Sequence, residues 1–218
     1  MKTICRFAPI LPVIVLLGCS NPADKVPEAK VTAPTNAPVT ETKSAENPAT
    51  APRSYVINPE NSTINFIGSK VTGSHNGGFK KFVGELHVAG GKLADAGNKI
   101  VIETASLYAD NPRLTGHLKS KDFFNVVEIP TATFETTAIM QNVTNFTVAG
   151  NLTLHGVTKQ ISFPATIAVS EATVEVAADF FINRFDFEIK YPGKANDLIR
   201  KEVVLKLKVK ATPGSATL

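Results

Sequence analysis

Tryptophan is missing from this chain of 218 residues, and cysteine occurs only at Cys5 and Cys19. The four histidines, His75, His87, His117 and His155, stand in four separate contexts, and no Cys/His pair has the spacing of a zinc site, so no metal centre is expected. There is no nucleophile elbow and no glycine-rich phosphate loop, which removes the usual signatures of acyl and phosphoryl chemistry. Asp179, Asp186 and Glu188 are the one group of carboxylates that could be drawn as an acid/base set. Carboxylates near a strand end are usually solvated, so no catalytic residue is assigned. Charge of one sign is also scarce: the net charge is +4, with no basic stripe interleaved with aromatics, and nucleic acid is excluded as a partner. The apolar run from Phe7 to Leu17 is too short to span a bilayer and contains Pro9 and Pro12.

That run belongs to a leader. Lys2 and Arg6 precede it, and it ends in Leu16-Leu17-Gly18-Cys19, a string that resembles the bacterial lipobox. Residues 1–18 are therefore expected to be a lipoprotein signal peptide, with Cys19 the lipidated residue that anchors the chain to a membrane. An ordinary secretory signal cut elsewhere is the alternative. A lone thiol at Cys19 after removal of Cys5 fits acylation, whereas a disulfide would need a second cysteine. The expected location is the cell envelope, with the folded part in the periplasm or otherwise outside the cytoplasm. Residues 19–54 are rich in Pro, Ala and Thr, with Pro22, Pro27, Pro34, Pro38, Pro48 and Pro52 spaced through them. They read as a disordered tether without a core, spanning roughly 30 Å as a coil or about 100 Å as polyproline II.

From Tyr55 onward the pattern is one of strands. In NFTVAGNLTLHGVTKQISFPATI, Phe146, Val148, Gly150, Leu152 and Leu154 share one parity, and Val157, Ile161, Phe163, Ala165 and Ile167 continue it after the turn. A tight hairpin at His155-Gly156 would set Leu154 opposite Val157 and Val148 opposite Phe163. Period-two patterns recur at 63–69, 81–88, 131–139 and 173–182, with a more evenly apolar stretch at 99–106. The last is the cleanest: Val203, Leu205, Leu207 and Val209 face one way, and Lys206, Lys208 and Lys210 the other. About eight main strands result, plus a short one at Tyr55 to Ile57. One weak helix is predicted over Pro112 to Lys121, with Asn111 as its cap and Phe123 and Phe124 beyond it turning towards one end of the domain. Such an antiparallel domain can be a sandwich or a barrel; closure favours the barrel because it removes the edges.

The strings GSKVTGSHNGGFKKFVGEL, LTGHLKSKDFFNVVEIPTATFETT, GNLTLHGVTKQISFP, INRFDFEIKYP and EVVLKLKVKA occur in this order. Together they resemble the successive blocks of the YceI-like family, over nearly all of residues 55–211, with 212–218 left as a C-terminal tail. The resemblance implies an all-β fold, an antiparallel eight-stranded lipocalin-like barrel whose lumen binds a polyisoprenoid lipid, such as an isoprenoid quinone or another long amphiphile. A lipobox and a tether are departures from a family whose members are generally secreted to the periplasm. On this reading the inward parity lines a lumen rather than a dry core. The candidate ligand-binding residues are Phe66, Phe82, Leu86, Ile102, Phe123, Phe124, Phe134, Phe146, Val148, Leu152, Leu154, Ile161, Phe163, Phe180, Ile182, Leu205 and Leu207. Lys159 shares this parity opposite Leu152 and is expected near a barrel mouth, where its head can reach water or an anion.

The function expected is non-enzymatic binding of a long-chain apolar lipid, with no cofactor, for carriage, storage or sequestration. Each buried isoprene unit contributes roughly 3 to 4 kcal/mol gross, at about 0.8 per carbon. The ordering of a flexible chain offsets much of this, so binding stays reversible. Two other classes compete: an exported barrel acting as an adhesion or protein-interaction module, and a lipid hydrolase or isomerase. The sequence leaves the oligomeric state open, with a homodimer as one option.

Overall fold

The computed structural model describes residues 20–35 and 52–216. Residues 1–19, which hold the expected signal peptide and Cys19, and residues 36–51 of the expected tether lie outside the described residues. In chain order the elements are β1 (Lys30–Thr32), β2 (Arg53–Ile57), β3 (Thr63–Lys70), β4 (Gly73–Phe79), β5 (Phe82–Ala89) and β6 (Lys92–Leu93). Then come β7 (Lys99–Glu103), β8 (Leu107–Ala109), the helix α1 (Pro112–Lys119) and β9 (Thr131–Gln141). The remaining strands are β10 (Phe146–Leu154), β11 (Val157–Val169), β12 (Val174–Asn183), β13 (Gly193–Lys194) and β14 (Asp197–Pro213).

Eight of these strands close an antiparallel barrel. The ring runs β2, β5, β7, β9, β10, β11, β12, β14 and back to β2. Around its other half β3 continues β2, β4 leads into β5, and β8 continues β7, so three staves are long and bent. The apolar parity of each stave points inward. On β14, Leu205, Leu207 and Val209 face the interior while Lys206, Lys208 and Lys210 are exposed. Charge outside and apolar groups inside make the hydrophobic effect close the ring.

The predicted hairpin forms in the predicted register: Leu154 lies opposite Val157, Gly150 opposite Ile161 and Val148 opposite Phe163. Both turn residues take the left-handed conformation, His155 at φ 51° and Gly156 at φ 75°. That is the backbone of a two-residue turn whose twist matches the strands. The helix is also where it was expected, though it stops at Lys119, and the Asn111 side chain accepts from the Leu114 amide at 3.1 Å.

Two ends of the barrel differ. At one, Tyr55, Ile57, Phe82, Leu86, Val88, Val174, Val209 and Ala211 pack into a closed plug, with the Tyr55 hydroxyl donating to the Ser170 carbonyl at 3.1 Å. At the other, β8 and β9 part, and so do β11 and β12. Helix α1 and the loop after it lie between the first pair. The second gap is filled by a segment read as tether. β1 pairs with β11 at Lys30 to Thr32, the Ala29 amide donates to the Phe181 carbonyl at 2.9 Å, and the Phe181 amide donates to the Pro27 carbonyl at 2.9 Å. Ala23 and Ala29 are buried, and Val31 packs on the core. The reading of everything from Ser20 to Ser54 as coreless is thus corrected for residues 20–32. Small side chains and backbone hydrogen bonds suffice here, because the edges of β11 and β12 supply the partners.

Candidate functional site

Because the plug fills only one end, the inward residues of the other half enclose a cavity of about 740 Å³. Its floor is formed by Ile100 and Ile102 from β7 with Ala132 and Phe134 from β9. Leu152 and Leu154 from β10, Ile161 and Phe163 from β11, Phe180 and Ile182 from β12, and Leu205 and Leu207 from β14 form its wall. Phe66 completes it from β3. Phe163 and Phe180 stack with ring centroids 4.0 Å apart and planes 9° from parallel, and Phe134 tilts against Phe163 at 5.7 Å. This interior offers an apolar chain aromatic faces and aliphatic side chains, with few groups that need a hydrogen bond.

Of the candidate lumen residues, Phe66, Ile102, Phe123, Phe124, Phe134, Leu152, Leu154, Ile161, Phe163, Phe180, Ile182, Leu205 and Leu207 line this cavity. Phe82, Leu86, Phe146 and Val148 do not. Phe82 and Leu86 belong to the plug. Phe146, at the start of β10, faces Ala165 and Gln141 at the plugged end, and Val148 is buried inside the core cluster around Phe163. Parity distinguishes inside from outside but carries no information on depth along the barrel axis.

The mouth is built by α1 and the loops. Phe123 is buried, packing against Tyr191 with centroids 5.3 Å apart and edge-on to His117 at 5.1 Å. Phe124 meets Phe79 edge-on at 5.8 Å, and Phe79 meets Phe66 at 6.1 Å. Asp122 pairs with His117 at 3.0 Å, and Asp110 with His75 at 2.8 Å. The Asn76 amide, and after it the His75 ring, hold the Asp110 carboxyl below the usual carboxylate range. Asp197 is held low by Lys70 and by the hydroxyl and amide of Thr72.

Arg184 is the structural keystone of the mouth. Its buried guanidinium donates to the carbonyls of Arg200, Ile189, Tyr191 and Ile199 at 3.0, 2.5, 2.8 and 3.3 Å. It therefore ties the loop after β12 to the start of β14. Burial lowers its pKa, and the four carbonyl dipoles take the place of a counter-ion.

The carboxylates considered for acid/base work do not converge. Asp179 pairs with Lys206 on the outer wall at 3.4 Å, and Glu188 is exposed, its carboxyl held low chiefly by Lys190 and more weakly by Lys159 and His155. Lys159 lies opposite Leu152, close to the β10–β11 turn at the open end, and its charge is one of the weaker influences that hold Glu188 low. Among the described residues no three His, Cys, Asp or Glu side chains gather as a metal site.

Several lining residues carry no periodic signal in the sequence. Phe79 lies at the end of a glycine-rich strand, while Tyr191, Lys194 and Arg200 belong to the loop and bulge around β13. Arg113, on α1, was hidden because a helix presents its exposed and cavity-facing residues together over so short a span.

The chain matches the family model for the YceI-like domain over residues 55–211. It is 41% identical over 68 residues to a UPF0312 protein of Yersinia enterocolitica, a match covering 31% of this chain and 35% of that protein. The aligned stretch thus spans about a third of the length of such curated relatives. The crystal structure of Burkholderia cenocepacia BcnA is similar at a TM-score of 0.65 and 25% identity, over 72% of this chain and 99% of that one. A polyisoprenoid binding domain from Saccharophagus degradans, implicated in plant cell wall breakdown, shares the fold at a TM-score of 0.60 and 17% identity, over 74% and 99% of the two chains.

Proposed function

Because this chain belongs to the YceI-like domain family, we propose that its barrel binds a polyisoprenoid or similar long-chain lipid in the lumen and carries, stores or sequesters it without chemical change. The observation that carries this reading is the shape of the interior: about 740 Å³ of apolar space, open at one end and plugged at the other. That volume lies within the usual range of small-ligand pockets, roughly 300 to 1,000 Å³. Each five-carbon unit entering it contributes about 4 kcal/mol gross, so a chain of several units can hold on although its ordering offsets part of that gain. An isoprenoid quinone is one such ligand. We place the protein in the cell envelope, held to a membrane by an acyl group on Cys19.

Organic extraction and native mass spectrometry of protein purified from a bacterial envelope test the ligand. Stoichiometric recovery of a prenyl lipid is expected. A folded barrel that neither retains nor takes up any apolar chain would overturn the proposal. The mass of the N-terminal peptide tests the anchor, since acylation at Cys19 adds a fixed increment that a free thiol lacks.

A further inference from the structure

Three features meet at the open end of the barrel. The first is positive charge without an ion-pair partner. Arg113, Lys194 and Arg200 edge the cavity mouth, and among the described residues none of them is in an ion pair. Elsewhere some cations pair, Lys206 and Lys210 on the outer wall with Asp179 and Glu175 and Lys70 at the mouth with Asp197, while others such as Lys208 do not; what matters at this rim is that three unpaired cations gather around one opening. Of the acids near the mouth, Asp197 is paired with Lys70 and Glu188 with Lys190, while Asp110 and Asp122 are hydrogen-bonded to His75 and His117.

The second feature is apolar exposure in the same place. Val71 follows Lys70 in the turn between β3 and β4, and Leu198 lies between Lys194 and Arg200. Both are about half exposed, at 54% and 50%, and the Val71 amide donates to the Leu198 carbonyl at 3.2 Å, which sets the two positions side by side. The third is the course of the N-terminal segment. Ser20 and Pro22 line a small cleft with Ser69, Lys70 and Arg200, all three of which also edge the cavity. The Ser69 hydroxyl donates to the Asn21 side chain at 3.5 Å. Residues 20–32 are therefore fixed on the barrel rather than paid out as slack, and Cys19 is the covalent neighbour of a residue at the rim.

We propose that this open end is a membrane-docking surface that seats the cavity mouth on an anionic lipid bilayer. Cations around a pair of exposed aliphatic side chains are what shallow insertion among acidic headgroups requires: the charges meet lipid phosphates and the aliphatic groups reach the acyl boundary. An apolar chain would then pass from bilayer to lumen without crossing water. The surface deepens the lipid-binding reading and rests on it for its purpose, while docking itself can be measured alone.

The test uses the chain from residue 19 onward with Cys19→Ser, so that neither leader nor acyl group contributes; every described element lies beyond that point. It should sediment with phosphatidylglycerol vesicles at low salt, not with phosphatidylcholine vesicles, and come off at high salt. Arg113→Gln with Lys194→Gln should weaken partitioning about fivefold for each charge removed. Val71→Asp with Leu198→Asp should abolish it, yet leave uptake of a prenyl lipid from detergent unchanged, because neither residue lines the cavity. Val143→Asp, at an exposed position in the turn at the plugged end, should change neither. No sedimentation with phosphatidylglycerol at low salt overturns docking, as does an equal loss from Val143→Asp. Unchanged partitioning of the Arg113→Gln, Lys194→Gln variant also overturns it, since those cations would then serve some other anion. Vesicle binding without prenyl uptake upholds docking and sinks the lumen reading instead.

Discussion

The Ala29 amide donates to the Phe181 carbonyl at 2.9 Å, across a seam where two staves of the barrel have separated. Phe181 returns the contact through its own amide, to Pro27, while β1 pairs with β11 on the other side. A stretch of chain outside the family match thus completes the wall of the cavity-bearing half.

Breaking that seal should therefore cost stability as well as order. Ala29→Pro removes the donor and should destabilise the fold by about 1 kcal/mol or more, as expected when a partly buried backbone hydrogen bond is lost. Thermal melts measure the loss, and hydrogen exchange at the Phe181 amide should quicken. An unchanged melting temperature together with unchanged exchange would show the segment to be an ornament on an already closed barrel.

The seam also shows where sequence reading stops. The eight staves are legible because burial on one face forces alternation, as in Val203 to Val209, and the hairpin register follows from its turn. β1 is not, since a three-residue strand held by backbone bonds needs no large apolar side chain, and its Pro/Ala-rich surroundings have the composition of a linker. β4 is hidden for another reason. Its sequence GSHNGGF has almost no inward side chain, because the Phe66 ring lies where a β-carbon of Gly77 would be. The candidate site was legible as a list of inward residues, but the division between plug and lumen was not. Phe82 and Leu86 obey the same parity as Phe134 and Leu152, and only the packing of neighbouring staves decides which of them meet empty space.

Gly150 sits against the cavity wall in a comparable way. A β-carbon there would lie 2.5 Å from both the Glu135 carbonyl and the Phe134 ring, at the register shift between β9 and β10. Gly150→Ala should cost about 1–3 kcal/mol through overpacking, and it should push Phe134 into the lumen. Denaturant melts and a fall in affinity for a prenyl probe are the readouts. Full stability with full affinity would mean that β9 can move aside without cost.

Acid should loosen the mouth first. Asp110 and Asp197 have carboxyls held below their ordinary 3.8, the first by the Asn76 amide and His75, the second by Lys70 and Thr72. A depressed folded-state pKa means that the stabilisation is fully present above the unfolded value and is lost as pH falls through the folded one. The loss should therefore begin near pH 4 and grow below it. Following chemical stability against pH in the parent and in Asp197→Asn and Asp110→Asn checks this: each variant should show a flatter acid limb. Parallel curves for all three proteins would show that these contacts are not coupled to folding.

Space in the lumen can be probed without adding charge. Leu152, on the cavity wall opposite Lys159, can be replaced by Trp, which stays apolar but occupies the route past β10. The fold should survive an overpacking cost of about 1–3 kcal/mol, while prenyl-lipid binding should fall steeply. Native mass spectrometry of the folded variant decides the matter: parent-like lipid occupancy would mean that the bound chain does not run past Leu152.

Phe123 and Phe124 leave α1 in adjacent positions, yet both reach the cavity, because the chain turns there instead of extending. Their settings differ. Phe123 is buried between His117 and Tyr191, whereas Phe124 is only partly buried and touches Phe79 by its edge. Removing the Phe123 ring would open a gap in a packed cluster, but removing the Phe124 ring mainly widens the way out. Phe124→Ala should therefore speed release of a bound fluorescent prenyl analogue several-fold with little change in melting temperature, and Phe123→Ala should lower the melting temperature by the larger amount. Stopped-flow displacement alongside thermal melts separates the two roles. If Phe124→Ala melts much earlier and releases its ligand at the parental rate, the ring belongs to the core and the mouth has no gate there.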